Sequence, residues 1–236
     1  MSKRFTVVLV GAAMAAIVLA TTGAAWAQDA YCKGDVVLDP GHGGTDTGAV
    51  YNKNGIYLRE KTEVLEVAYL LKGLLRDGYG PYYDVCTTHT YDSETLSNKA
   101  RYTHANATGA RVLVSIHMNG SSDPNADYTT LFGKWRKDKA FAYSIFGDNV
   151  NPPKINPPTY GLRTLLAANG TGNYIATKTP YSYASGVLLK SNMPATIAET
   201  VFITNTDEAK LLSDGTGERE RQIAAALEKG INNYLK

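Results

Sequence analysis

Cysteine is scarce in this chain. Cys32 and Cys86 are the only two in 236 residues and form no CxxC pair, which makes a poor thiolate zinc site; any metal must rely on histidine and carboxylate. An excess of one charge is also missing, with 24 basic against 22 acidic residues and no run of five like charges. Neither nucleic acid nor an anionic membrane surface is therefore implied as a partner. After residue 27 there is no long apolar run, so no retained membrane span is expected. The chain is not short of apolar residues, however: 44% are hydrophobic and 19% charged, a balance that excludes a disordered chain and supports one sizeable core.

The first segment has to be set aside before the fold is considered. Lys3 and Arg4 precede an uncharged apolar run from Phe5 to Ala20, and Ala25, Trp26 and Ala27 form a small-x-small cleavage pattern. Residues 1–27 are expected to be a signal peptide, since the run is short for a bilayer span of about 20 residues. Residues 28–236 then form a single exported domain. Losing Lys3 and Arg4 leaves 22 basic against 22 acidic residues, a formally neutral mature protein. Export places Cys32 and Cys86 where a disulfide can persist, and pairing or two buried thiols both remain open.

Along the mature chain, Val36, Val37, Leu38 and Asp39 read as a strand buried on both faces, stopped by Pro40 and Gly41. Residues 41–55 are rich in Gly, Thr, Asp and Asn and read as a loop. Val64, Leu65, Ala68, Leu71 and Leu75 then give helical spacing over 60–75. Further strands are expected at 83–88, 111–117, 128–132, 186–190 and 195–198, with helices at 97–107, 160–169 and 218–234. Strands alternating with helices predict an α/β single domain: a mixed, mostly parallel twisted sheet of about six strands with helices on both faces. No internal repeat or appended binding domain is legible, and a monomer is expected.

Two of the four histidines share a setting. His42 and His117 each end or follow an apolar strand and are trailed by Gly or Asn, at the carboxyl ends of strands, where open α/β sheets bind ligands. Glu60 opens the helix after the His42 loop, and Glu199 ends the run Ala195 to Ala198 at the same end of the sheet. Taken singly, each His is an ordinary strand-end polar residue and Glu60 a carboxylate facing the helix dipole. Glu199 stands out, because an acid flanked by Ile197, Ala198, Val201 and Phe202 is costly to bury unless paired or close to a metal. Two histidines and a carboxylate form a common catalytic zinc set that leaves a fourth position open, and a further carboxylate beside it can move the proton of an attacking water.

These blocks resemble the zinc-dependent N-acetylmuramoyl-L-alanine amidases, which cleave bacterial peptidoglycan. The likeness rests on Leu38 to Gly44 (LDPGHGG), Arg59-Glu60-Lys61, Ser115 to Asn119 (SIHMN) and Met193 to Glu199 followed by Phe202-Ile203-Thr204-Asn205, in order and at family-like spacing. It implies Zn2+ on His42, Glu60 and His117, with Glu199 as catalytic base and acid. The bond implied is the amide joining the lactyl group of N-acetylmuramic acid to the L-alanine of the stem peptide. The partners are peptidoglycan and muropeptides, which agrees with export to the periplasm or the extracellular wall. Arg101 and Asn106 match the family's helix with an Arg and an Ala-Asn pair, an architectural role.

The chain departs from the family at one point. The family's Thr-Arg pair is here Thr88-His89, so His89 is a structural substitute, a substrate contact or a competing metal ligand. His104, on the helix at 97–107, reads as an exposed or satisfied histidine. The region 123–185 follows the family loosely; Tyr128, Trp135, Tyr160, Tyr174, Tyr181 and Tyr183 could stack on sugars or simply pack there, and residues 133–158 could cover the site. Two other functions use parts of the same pattern: a zinc peptidase cutting within the stem peptide, and a wall-binding module that has lost its chemistry.

Overall fold

The computed structural model describes residues 32–78, 80–134, 137–147 and 186–236. The expected signal segment, the helix expected at 160–169 and five of the six aromatic residues named above (all but Tyr128) lie outside them. So do residues 135–136 and 148–158 of the segment expected to cover the site.

The central strand pair is β1 (Val36–Pro40) and β5 (Val112–Asn119), and it sets the rest of the architecture. Every residue of β1 is buried. Val36 and Leu38 point into a core shared with Val112, Val114 and Ile116, while Val37 points the other way and joins Leu113 and Ala195. A strand buried on both faces must read as a continuous apolar run, and this one does. Among the described residues the sheet has five strands in the order β4-β1-β5-β7-β6, where β4 is Val85–Thr87, β7 is Ala195–Phe202 and β6 is Thr130–Phe132. The first four are mutually parallel, and β6 runs antiparallel on β7.

Helices cover both faces, as parallel strands require of their crossovers. α1 (Glu60–Asp77) buries Val64, Val67, Ala68, Leu71 and Leu75 against the larger core, and the C-terminal helix lies beside it. Each fully buried leucine of that stripe contributes about 1.5–3 kcal/mol relative to exposure. α2 (Asn98–Thr108) covers the second face; Ser97 caps it, its hydroxyl accepting from the Ala100 N–H. α3 (Lys139–Phe146) packs on the terminal helix.

The structure departs from expectation at several elements: helices not expected from the sequence form at Lys139–Phe146 and Thr206–Leu212, and the strand expected at 195–198 runs on to Phe202. Residues Gly186 to Lys190 were expected as a strand but form a short helix, α4 (Val187–Lys190), with Val187 and Leu188 in the second core. An apolar run this short has no period to separate helix from strand, and packing against α2 decides it. Residues 41–55 are not all loop, because β2 (Val50–Lys53) and β3 (Ile56–Arg59) form an antiparallel hairpin. Its two-residue turn is Asn54-Gly55, both with positive φ (55° and 78°), the pairing that suits a primed turn.

The chain finishes with α5 (Thr206–Leu212), capped by Asn205, and α6 (Glu218–Leu235). These two helices are joined by a buried ion pair in which Arg219 donates from two nitrogens to Glu208. Cys32 and Cys86 are disulfide-bonded, with Cα atoms 5.9 Å apart, which resolves the choice left open by the sequence. None of the described helices is long and apolar enough to cross a membrane.

Candidate metal centre

The four candidate residues converge at the carboxyl ends of β1, β5 and β7. His117 and Glu199 are register partners on adjacent parallel strands, so their side chains rise side by side from the same face. His42 follows β1 in a left-handed backbone conformation (φ 62°) that non-glycine residues adopt at a cost of roughly 1–2 kcal/mol. That conformation turns the ring back over the end of β5. Glu60, first residue of α1, reaches in from the other side of the sheet.

His42 Nε2 and His117 Nδ1 each lie 3.0 Å from Glu60 Oε1, and 3.2 Å from one another. A tetrahedron with metal–ligand bonds of about 2.0–2.1 Å has edges of roughly 3.3–3.4 Å. Two imidazole nitrogens and a carboxylate oxygen at these separations therefore fit one small divalent cation, and among the described residues this is the one group of three that does. Glu60 is fixed from behind: Oε1 accepts from the Met118 N–H at 2.9 Å and Oε2 from the Ala49 N–H at 2.8 Å.

Electrostatics point the same way. Burial would raise the Glu60 carboxyl, but hydrogen bonds from His117 and His42 overcome it and hold the group at about 2. Burial would lower His42, yet its bond to Glu60, the Glu60 charge and the Asp46 carboxylate lift it to about 9. The cluster is thus built to hold positive charge. Glu199 behaves differently. Partly buried and without a hydrogen-bonded cation, it is pushed up to about 7 by burial, with the Glu60 charge adding to the rise and His117 and His42 opposing it.

Beneath the cluster lies a buried network. Asp39 Oδ1 accepts from Thr88 Oγ1 and from Arg101, both at 2.7 Å, and Oδ2 accepts from Ser115 Oγ at 2.7 Å. Burial works against the Asp39 charge, but Arg101 and these bonds hold its pKa below the usual carboxylate range. Arg101 also donates to the carbonyls of Pro40 (2.6 Å) and His42 (2.5 Å), which secures the turn that carries His42. Its expected architectural role is borne out, and Asn106 likewise bonds α2 to α4 through the Lys190 carbonyl.

His89 is buried and lies outside the ligand group, so the competing-ligand role is not supported. Its Nδ1 sits 3.3 Å from Thr88 Oγ1; burial first, then the Arg101 charge, lowers its pKa and favours the neutral ring. These contacts agree with the structural-substitute reading. His104 is half-buried on α2, and its Nε2 is buried with no partner among the described residues. Tyr128 packs against Phe202 in an edge-to-face contact, with ring centroids 4.5 Å apart.

Two residues of the site were not singled out in the sequence, and a third, Gly41, was named there only as part of the LDPGHGG block. A Cβ on Gly41 would fall 2.3 Å from His117 Cε1, and one on Gly48 2.4 Å from Glu60 Oε2, so both candidate ligands lie against bare backbone. Asp46 Oδ2 is 3.0 Å from His42 Nδ1. Glycine and aspartate are ordinary in a loop, and no local pattern marks Gly48 or Asp46.

The cluster opens into a cleft of ≈600 Å³ whose walls include Asn98, Phe132, Val187 and Ile197, with Glu199 facing it. A larger groove of ≈1060 Å³ runs along α1 past Tyr69 and Arg221 but contains none of the four residues, so the chemistry belongs to the smaller cleft.

A sequence model described as N-acetylmuramoyl-L-alanine amidase matches residues 36–233. N-acetylmuramoyl-L-alanine amidase AmiA of Escherichia coli (strain K12) is 30% identical, over 85% of this chain and 75% of its own length. The catalytic domain of the amidase CwlV from Bacillus (Paenibacillus) polymyxa var. colistinus superimposes with a TM-score of 0.65 at 27% identity, over 85% of this chain and 97% of that one. AmiC2 of Nostoc punctiforme gives 0.63 at 28% identity, over 85% and 96%. The family match spans the strands and helices that carry all four residues, and a relative aligned over most of both chains agrees with it: the chain belongs to the N-acetylmuramoyl-L-alanine amidases and is an enzyme of that class.

Proposed function

We propose that His42, Glu60 and His117 hold a zinc ion and that Glu199 is the general base and acid. The reaction is hydrolysis of the amide between the lactyl group of N-acetylmuramic acid and the L-alanine of the peptidoglycan stem. The observation that carries this reading is the meeting of three ligand atoms at 3.0–3.2 Å, with Glu199 on the neighbouring strand beside His117.

Zinc bound there would act as a Lewis acid, polarising the scissile carbonyl and making water acidic enough to lose a proton near neutral pH. The protein's own groups divide the remaining work. Both Glu60 oxygens are engaged by backbone N–H groups and rings, so Glu60 holds position and moves no proton. Glu199, which burial raises to about 7 in the metal-free protein, would take a proton from the attacking water and then release it to the departing alanine amine. Phe132 and Ile197 narrow the apolar side of the cleft, and Asn119 Nδ2 donates to the Glu199 carbonyl at 3.4 Å, steadying the strand that carries the acid.

Peptidoglycan lies outside the cytoplasm, so the reading includes export: residues 1–27 act as a signal peptide, and 28–236 work as a monomeric catalytic domain in the periplasm or the wall. The test is digestion of purified sacculi by the mature enzyme. New free L-alanine amino termini are expected, lost on chelation and restored by zinc; cleavage only inside the stem peptide would reject the amidase bond. Glu199→Ala is expected to keep near-stoichiometric zinc and lose nearly all hydrolysis.

A further inference from the structure

Of the three proposed ligands, His42 is the one borne by a loop rather than by a strand or helix. It needs an outside constraint, since an imidazole that offers Nε2 to a metal must carry its proton on Nδ1 and be kept from rotating. His42 Nδ1 is buried and makes no aligned hydrogen bond; the carboxylate Oδ2 of Asp46 faces it at 3.0 Å.

Asp46 is itself well placed to resist movement. Its backbone closes a two-way bridge with Gly43: Gly43 N–H donates to Asp46 O at 2.9 Å, and Asp46 N–H donates to Gly43 O at 3.1 Å. Its second carboxylate oxygen accepts the Gly48 N–H at 3.1 Å. Gly48 is the residue on whose bare Cα both the Glu60 carboxylate and the His42 ring edge rest. One carboxylate therefore touches the ring of one ligand and the backbone that seats two of them.

We infer that Asp46 is a positioning residue of the metal centre, whose carboxylate fixes the Nδ1–H form and the orientation of His42 and ties the 42–48 loop against Glu60. Asparagine cannot replace it fully. An amide has one accepting oxygen, whereas Asp46 presents one acceptor to the Gly48 N–H and another to the ring. The side chain is 66% exposed and contributes nothing to either core, so its role in ligand placement can be separated from a role in stability.

The inference rests on the zinc reading above, and the experiment distinguishes the two. Zinc dissociation constants are measured by chelator competition for the mature wild type, His42→Ala, Asp46→Ala and Asp46→Asn, and metal-free melting temperatures are recorded for each. Expected are loss of stoichiometric zinc in His42→Ala, a roughly 10–100-fold weaker constant in Asp46→Ala, a smaller loss in Asp46→Asn, and unchanged metal-free melting for both Asp46 variants. Wild type that binds no zinc would overturn the parent reading. Wild type that binds zinc while both Asp46 variants match it within twofold would overturn the Asp46 role alone. So would weakened zinc binding that parallels a fall in metal-free melting temperature, since Asp46 would then be serving the fold.

Discussion

Replacing Glu199 by glutamine should stabilise the metal-free protein, and the gain should grow with pH. The folded-state carboxyl titrates at about 7, against the 4.5 of an exposed glutamate, because burial disfavours its charge. A carboxyl raised on folding binds its proton more tightly in the native state, so stability falls as pH climbs from the unfolded to the folded value. One pKa unit is about 1.4 kcal/mol, so ionising Glu199 costs about 1 kcal/mol of stability at pH 5.5 and about 3 kcal/mol at pH 8. Glutamine has a similar shape and cannot ionise. In urea titrations of EDTA-treated protein, the variant should gain on wild type by about 2 kcal/mol between pH 5.5 and pH 8. With zinc bound, the nearby cation favours the carboxylate and the gain should shrink. A variant-minus-wild-type difference that is flat from pH 5.5 to 8 would show that burial does not raise this acid, and its assignment as a proton carrier near neutrality would lose its physical basis.

Four further substitutions bear on ligand placement and on stability. Glu60→Ala should lose zinc and also destabilise the metal-free protein by roughly 2–4 kcal/mol, since the Met118 and Ala49 N–H groups lose their acceptor; His42→Ala should lose zinc and the stabilisation of its pair with Glu60 while leaving both N–H groups bonded, as chelator competition and urea midpoints will show. Gly41→Ala puts a methyl group 2.3 Å from His117 Cε1 and should weaken zinc binding roughly tenfold or more, and an unchanged constant would mean that the ring has room to shift. Cys86→Ser opens a bridge across 54 residues and should cost about 2–4 kcal/mol in an oxidising buffer, with wild type falling to the same midpoint in reductant.

What the sequence reveals about the site depends on how each residue declares itself. Val36 to Leu38 and Val112 to Ile116 are apolar on both faces, and helical spacing brings Val64 to Leu75 onto one face of α1; these patterns place His42, Glu60 and His117 at element ends where ligands bind. Glu199 declared itself through apolar neighbours that a carboxylate does not choose without reason. The hairpin was lost because its strands are only four residues each, and residues 41–55 hide the Asn54-Gly55 turn among other turn formers. Val187 and Leu188 are buried alike in strand or helix, so only the packing of α2 settled their form. Gly48 and Asp46 act through what lies next to them in space, and spacing along the chain carries no trace of that.

Pairing His117 with Glu199 across β5 and β7 has a consequence for how the site can move. Many catalytic acids sit on loops and approach their metals when a lid closes. Here the acid and one proposed ligand are one strand spacing apart in the middle of the sheet, flanked by β1 on one side and β6 on the other. Their separation is set by the backbone hydrogen bonds between the strands, and altering it means breaking central strand pairing. Amide protons around residues 114–117 and 197–199, ahead of the register irregularity that follows His117, should therefore exchange with solvent only as slowly as the whole domain opens. The spacing of His117 and Glu199 therefore stays constant for as long as the protein remains folded, and any movement within the site falls to the loop that carries His42.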